Sequence, residues 1–223
     1  TTQGDVLYHT GSALARLGAG TSGYYLKTQG TGANPVWSEI SAGSHTKIAE
    51  FTSTNGIATW ALDNIFTSTY DFYMIYLTNY GHVDSNRPIH FRFRTGGASG
   101  SDDSNSNYRY MNNRILRTSG AETDSLDGTW SGSHGKLINI DIANNAAENS
   151  YFQLFLHQPY QSAMTMCSYT GNVNHVNLTG VAYISGSCIY NGNTSHTGIS
   201  FTAQDYSSGL RAGNKAYVYG IKY

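Results

Sequence analysis

The chain has 223 residues, of which only 12% are Asp, Glu, Lys or Arg, and thirteen basic against fourteen acidic side chains leave a net charge of −1. An average soluble chain carries about 25% charged residues, and so neutral a balance offers no basic footprint for nucleic acid and no polybasic anchor for anionic lipid. Gly, Ser, Thr and Asn instead make up 92 of the 223 residues, with eighteen Tyr and eight Phe supplying bulk, a mixture of turn formers and pleated-surface residues that predicts an all-β protein.

In chain order, Gly4–Tyr8, Ala13–Leu17, Gly23–Lys27 and Pro35–Ser38 are short apolar patches separated by Gly-rich turns, and the pattern changes near Ser41–His45. A segment of about 40 residues cannot bury enough apolar surface to fold unaided. Residues 1–44 are therefore expected to be an attachment or oligomerisation segment whose simplest partner is another copy of itself, with Val6, Leu7, Tyr8, Leu17, Leu26 and Trp37 as its contact residues.

Residues 45–223 read as consecutive strands: Lys47–Phe51, Tyr70–Leu77, Ile89–Arg94, Tyr108–Met111, Leu137–Ile142, Tyr151–Leu156, Ala163–Cys167, Val176–Ile184, Ile199–Phe201 and Ala216–Tyr219. Several alternate with period two, the mark of a strand with one buried face. Thr95–Asp103 and Leu126–His134 read as loops, and a turn or two of helix is expected at Ala143–Asn149. Roughly eight to ten antiparallel strands in about 180 residues predict a jelly-roll-like β-sandwich.

No run of about 18 apolar residues is present, so membrane insertion is not expected. TTQGDVLYHT has neither the basic flank nor the apolar core of a signal peptide. Thr1 fits ordinary removal of an initiating Met, as expected of a complete gene product. Cys167 and Cys188 are too few for a disulfide framework or zinc site and are expected to be buried or half-buried free thiols.

Gly4-Asp5-Val6-Leu7-Tyr8, the Ala15-Arg16-Leu17 step, Gly18 with Gly20 and Gly23, Leu26, and Asn34-Pro35-Val36-Trp37 form a set that resembles a module of bacteriophage tail-fibre and related virion surface proteins, including those of phages of marine cyanobacteria. The last strand, with Tyr219-Gly220-Ile221-Lys222, is similar to the ends of β-sandwich domains in phage structural proteins. The resemblance implies a homotrimeric protein on the virion, joined to other virion proteins through its N-terminus and facing host-surface polysaccharide with its sandwich. It also admits a capsid decoration protein, because the chain has no long shaft. A polysaccharide depolymerase is a third reading.

Motifs for catalysis are missing from the sequence: there is no Gly-x-Ser-x-Gly, His-Glu-x-x-His, Cys-x-x-Cys or phosphate-binding loop. Neither enzymatic activity nor a cofactor is expected. Asp103-x-Asn105-x-Asn107 opens like a calcium loop, but Tyr108 stands where Gly is needed and Arg114 where a bidentate Glu is needed. A solvated polar loop is expected there in preference to a metal cage built on Asp102 and Asp103.

Six of the thirteen basic residues fall between Arg87 and Arg117, and period two puts His90, Arg92 and Arg94 on one strand face with Ile89, Phe91 and Phe93 on the other. That polar face suits an anionic sugar or a neighbouring subunit's carboxylates, although six nearby acids make local or intersubunit ion pairing the expected role. Aromatic rings in polar loops suit glycans, since a ring packs on the apolar face of a pyranose while amides and hydroxyls bond its edge. Trp130, Tyr160, Tyr190 and Tyr206 are the candidates, the alternative for each being packing on its own sheet or a subunit interface.

Overall fold

The computed structural model describes residues 1–39, 45–83, 88–117, 120–138, 150–175, 180–203 and 209–222. The chain divides into two units, Thr1–Gly43 and Ser44–Tyr223. Among the described residues the strands pair antiparallel, and the only helical element is a 3-10 turn at Gly97–Ser99.

In the first unit the four apolar patches become four-residue strands. β1 (Val6–His9) pairs β2 (Leu14–Leu17), and β3 (Tyr24–Lys27) pairs β4 (Val36–Glu39), with Val6 opposite Leu17 and Leu26 opposite Trp37. The Trp37 indole donates to the Gly18 carbonyl at 2.6 Å. A Cβ on Gly20 would stand 2.6 Å from the same ring, so glycine is what lets the indole lie against this turn. Among the described residues no apolar side chain of the unit is fully buried, and Leu7 and Leu14 are 60% and 75% exposed. Isolated hairpins are marginal in water, and no described residue of this unit offsets their ordering entropy by core burial.

The second unit contains β5 (His45–Thr52), β6 (Thr59–Leu62), β7 (Phe72–Tyr80), β8 (Ile89–Thr95), β9 (Ser101–Asp102), β10 (Tyr108–Arg117), β11 (Glu122–Gly132), β12 (Gly135–Ile138), β13 (Ser150–His157), β14 (Thr165–His175), β15 (Gly180–Tyr190), β16 (Gly198–Ala203) and β17 (Lys215–Ile221). Eight of these form a jelly-roll frame, β5-β17-β7-β13 in one sheet and β6-β16-β8-β12 in the other. The chain passes between sheets at β5–β6, β6–β7, β7–β8, β9–β10, β11–β12, β12–β13, β15–β16 and β16–β17, as two interlocked Greek keys require. The hairpins β14–β15 and β10–β11 extend the first sheet beyond β13, giving the order β11-β10-β15-β14-β13-β7-β17-β5, while β9 pairs β8 in the second.

Alternation along the strands makes the core. Tyr73, Ile75 and Leu77 of β7 and Phe152, Leu154 and Leu156 of β13 are buried, as are Phe91 and Phe93 of β8 and Ile199 and Phe201 of β16. Ring contacts join the sheets: Phe91 with Tyr169 at 6.3 Å, Phe93 with Tyr108 at 6.0 Å and Phe201 with Tyr80 at 6.5 Å between centroids. Each large side chain so buried contributes about 1.5–3 kcal/mol.

The second unit departs from the sequence reading on β11 and agrees with it at the two cysteines. Leu126–Gly132, expected as a loop, belongs to strand β11, because Met111–Arg117 of β10 pairs residue for residue with Glu122–Gly128, and this ladder outweighs the turn-like composition. The thiols of Cys167 and Cys188 are both free and buried, on residues that lie directly opposite each other across β14 and β15. The helix expected at Ala143–Asn149 lies outside the described residues.

Candidate functional site

The face of the eight-stranded sheet that points away from the second sheet carries a trough. Antiparallel register sets its side chains in rows across the strands. One row runs Met111 (β10), Ser187 (β15), Ser168 (β14) and Phe155 (β13); the next runs Asn113, Ser185, Thr170 and Gln153. The two central strands thus contribute only hydroxyl side chains, with larger groups on both sides. Adjacent strands lie about 4.8 Å apart, so the span from β10 to β13 is about 14 Å. The next row on one side, Arg109, Ile189, Met166 and His157, and the next on the other, Ile115, Tyr183, Asn172 and Tyr151, bound its ends.

Adjoining hollows of about 410, 300 and 400 Å³ mark this surface. The first is lined by Arg109, Met111, Gly128, Trp130, Ser187 and Ile189. Gly128 keeps it open: a Cβ there would stand 2.8 Å from the Tyr110 carbonyl oxygen. Trp130 projects from β11 beside it, 76% exposed, with the Arg109 guanidinium carbon 4.5 Å from its ring centre. On the opposite wall Phe155 stacks with Phe72 at 5.5 Å, and Tyr151 with Tyr76 at 6.1 Å.

Comparison of the chain with protein-family models, curated proteins and solved structures gives no match. The site is therefore argued from its own geometry. An uncharged strip of Ser and Thr hydroxyls between apolar and aromatic walls is chemically matched to a polyhydroxylated ligand with apolar ring faces.

Of the aromatic residues expected to contact glycan, Trp130 is the one among the described residues that lies on this trough. Tyr160 sits in the turn after β13, where its carbonyl accepts from Ser195 Oγ at 2.5 Å. Tyr190 corrects the expectation: it is fully buried, its hydroxyl donating to Asp103 Oδ2 at 2.5 Å and accepting from Asn107 Nδ2 at 3.2 Å. Its even position on β15 points it into the core, away from Ser187 and Ile189. Tyr206 lies outside the described residues.

The Asp103 loop is solvated at Ser104, Asn105 and Ser106, as expected, but Asp103 at its head is not. Asp103 is buried and also accepts from the Asn105 backbone N–H and amide, at 3.0 and 2.8 Å. His196, fully buried, stacks on Phe93 at 4.8 Å and places Nε2 3.6 Å from Asp103 Oδ2, beyond hydrogen-bond range. Burial holds the His196 pKa down at about 4, the Asp103 carboxylate opposing the shift. Among the described residues no group of three or more His, Cys, Asp or Glu side chains is placed to hold a metal ion.

His90, Arg92 and Arg94 do share one face of β8, as period two requires. The two arginine charges are engaged within the chain. Arg94 bonds Asp63 at 2.7 Å and Asp102 at 2.5 Å and also donates to the Gly100 carbonyl, while Ser200 Oγ donates to Asp102 at 2.8 Å. Arg92 donates to the Ser133 carbonyl at 2.9 Å and lies 3.9 Å from Asp102. His90 stacks on His134 at 3.8 Å, and burial pushes its pKa down to about 3, helped by His134, Lys136 and Arg92. This cluster is an ion-pair network under the second sheet's edge loops, which accounts for its arginines without a bound anion.

The trough residues Ser168, Thr170, Ser185, Ser187, Phe155 and Arg109 were not singled out by the sequence. The alternation Cys167-Ser168-Tyr169-Thr170 and Ile184-Ser185-Gly186-Ser187-Cys188 does signal strands with one hydroxyl face. That the two hydroxyl faces adjoin, and that β10 and β13 flank them, depends on non-local pairing.

Proposed function

We propose that this chain is a non-enzymatic virion surface protein of the tail-fibre or spike class, whose jelly-roll sandwich holds host-surface glycan in the trough of the eight-stranded sheet. The observation that carries the reading is the strip Ser168, Thr170, Ser185 and Ser187 with Trp130 exposed at one end and Phe155 along one wall. A pyranose stacks an apolar face on Trp130, and its hydroxyls exchange hydrogen bonds with the strip and with the Gln153 amide. Single sites of this shallow kind bind weakly, and display in several copies supplies avidity. The first unit supports that display: its hairpins leave Leu7, Leu14, Tyr24, Tyr25 and Leu26 uncovered, and the resemblance of this segment to phage modules points to three copies packed through it.

The test is binding of the full chain to an array of bacterial surface polysaccharides, with Trp130→Ala beside it. At least one polysaccharide should bind the wild type and lose affinity for the variant; no binding to any would remove the attachment role. Sedimentation of full-length Leu26→Asp should show a smaller assembly than the wild type.

A second reading, capsid decoration, is favoured by the apolar side chains beside the trough: Ile115, Leu126, Val181 and Tyr183 are all exposed and would suit a neighbouring virion protein. Counting copies per particle separates the two, since decoration follows capsid symmetry whereas a tail apparatus holds a few dozen chains at most. A depolymerase would release reducing ends from the bound polymer, and none are expected.

A further inference from the structure

Several basic side chains of the sandwich have acidic partners: Arg94 has Asp63 and Asp102, Lys136 has Asp127 at 3.1 Å, and Arg117 has Glu122 at 3.6 Å. Arg109 differs. Among the described residues its guanidinium meets no carboxylate and no hydrogen-bond acceptor, and its one charged-group contact is the face of Trp130. A guanidinium lying over an aromatic ring keeps its N–H edge free while the ring holds it in place. This edge borders the 410 Å³ hollow at the end of the hydroxyl strip, and no acidic residue lines that hollow.

An uncompensated, oriented fork of N–H donors at the end of a sugar-sized trough is matched by a planar carboxylate, which takes two parallel N–H···O bonds from it. Resting on the glycan reading of the trough, we propose that the ligand is an acidic polysaccharide and that a uronate carboxylate is held by Arg109 beside Trp130. The same pyranose packs its apolar face on the exposed part of the Trp130 ring, and the following residues of the polymer run along Ser187, Ser168 and Ser185. The anion contact thus belongs to the first sheet, and the Arg92–Arg94 cluster of the second sheet takes no part in it.

The experiment titrates the full chain with uronic-acid oligosaccharides and with the same oligosaccharides after carboxyl reduction to the neutral sugars, using the wild type, Arg109→Gln and Arg109→Lys. The wild type should bind the uronate form at least tenfold more tightly, with affinity falling as salt rises. Arg109→Gln should bind both forms at the wild type's neutral-sugar level, and Arg109→Lys should recover part of the preference, since an ammonium attracts the charge without the planar fork. Equal wild-type affinity for the two forms, or an undiminished preference in Arg109→Gln, overturns the proposal and leaves the glycan trough standing. Equal gains from uronate and from dextran sulfate overturn the carboxylate assignment, because a general anion site would then explain the result. Wild-type binding to neither form, with none on the polysaccharide array, removes both readings. A smaller assembly for Arg109→Gln in sedimentation would instead assign this face to a second copy of the chain and also overturn the proposal.

Discussion

Strands β13, β14 and β15 present two faces made from one stretch of backbone each, and the faces differ in everything but their hydrogen-bond ladder. Inward point Phe152, Leu154, Leu156, Cys167, Tyr169, Val173, Ile184 and Cys188, all buried. Outward point Tyr151, Gln153, Phe155, Ser168, Thr170, Ser185 and Ser187, none of them buried. The inner face gains stability by excluding water; the outer face keeps hydroxyls and ring edges available. A period of two lets the faces be set independently, the inner one for the fold and the outer one for the proposed ligand.

The sharpest way to break this comparison is a pair of neighbours on β13. Leu154→Ala removes a core side chain and should cost about 2–5 kcal/mol in a denaturant melt, without altering the glycan affinity of the folded protein. Phe155→Ala, one residue on, should cost about 0.5–1.5 kcal/mol by losing its stack with Phe72 and should weaken glycan binding. Similar costs for both, with binding unaffected, would mean that the faces are not divided in this way.

A second test uses acid. The folded-state pKa of His196, about 4, lies below its ordinary 6.5, so between these values the unfolded chain binds more protons than the folded one. The stability from the neutral buried ring is fully present above about pH 6.5 and is lost as pH falls toward 4, a decrease of about 3 kcal/mol. His90 and His134, depressed chiefly by burial, act in the same direction. Melting temperatures from pH 7 to pH 4 should fall in the wild type and fall less in His196→Phe. A slope identical in the two would show that this ring is not the titrating group.

Trp130→Ala should leave the melting temperature near that of the wild type, since the ring is exposed, while lowering glycan affinity about tenfold, or about 1.4 kcal/mol. The smallest effect expected is none. Cys167 and Cys188 lie on the underside of the trough floor, and burial pushes the Cys188 thiol up to about 12. Neither should react with a thiol reagent until the protein unfolds. Because a one-residue slip of a strand exchanges its faces, rapid native labelling would show that the hydroxyls point into the core instead.

Much of this division could be read from the chain. Alternation in Tyr151–Leu156 and Ile89–Arg94 identified which residues go inside, and the number of strands indicated two packed sheets. Pairing with distant segments decided the rest. Gly128-Thr129-Trp130-Ser131-Gly132 has the composition of a turn, and becomes strand because β10 supplies a ladder. Tyr190, between a strand and Asn191, looks like a loop aromatic, yet parity along β15 sends it to Asp103. The trough itself needed the order β10-β15-β14-β13, in which strands 70 residues apart become neighbours, and local periodicity carries no record of that order. In the first unit the short patches were legible and their pairing into two hairpins was not.

The measurement that bears most directly on the central claim is polysaccharide binding by Ser168→Trp, which fills the middle of the trough from an exposed position and touches nothing in the core. The account predicts a protein that folds and melts like the wild type and no longer binds glycan. Wild-type affinity in that variant would contradict it, because the ligand would then have to bind somewhere else.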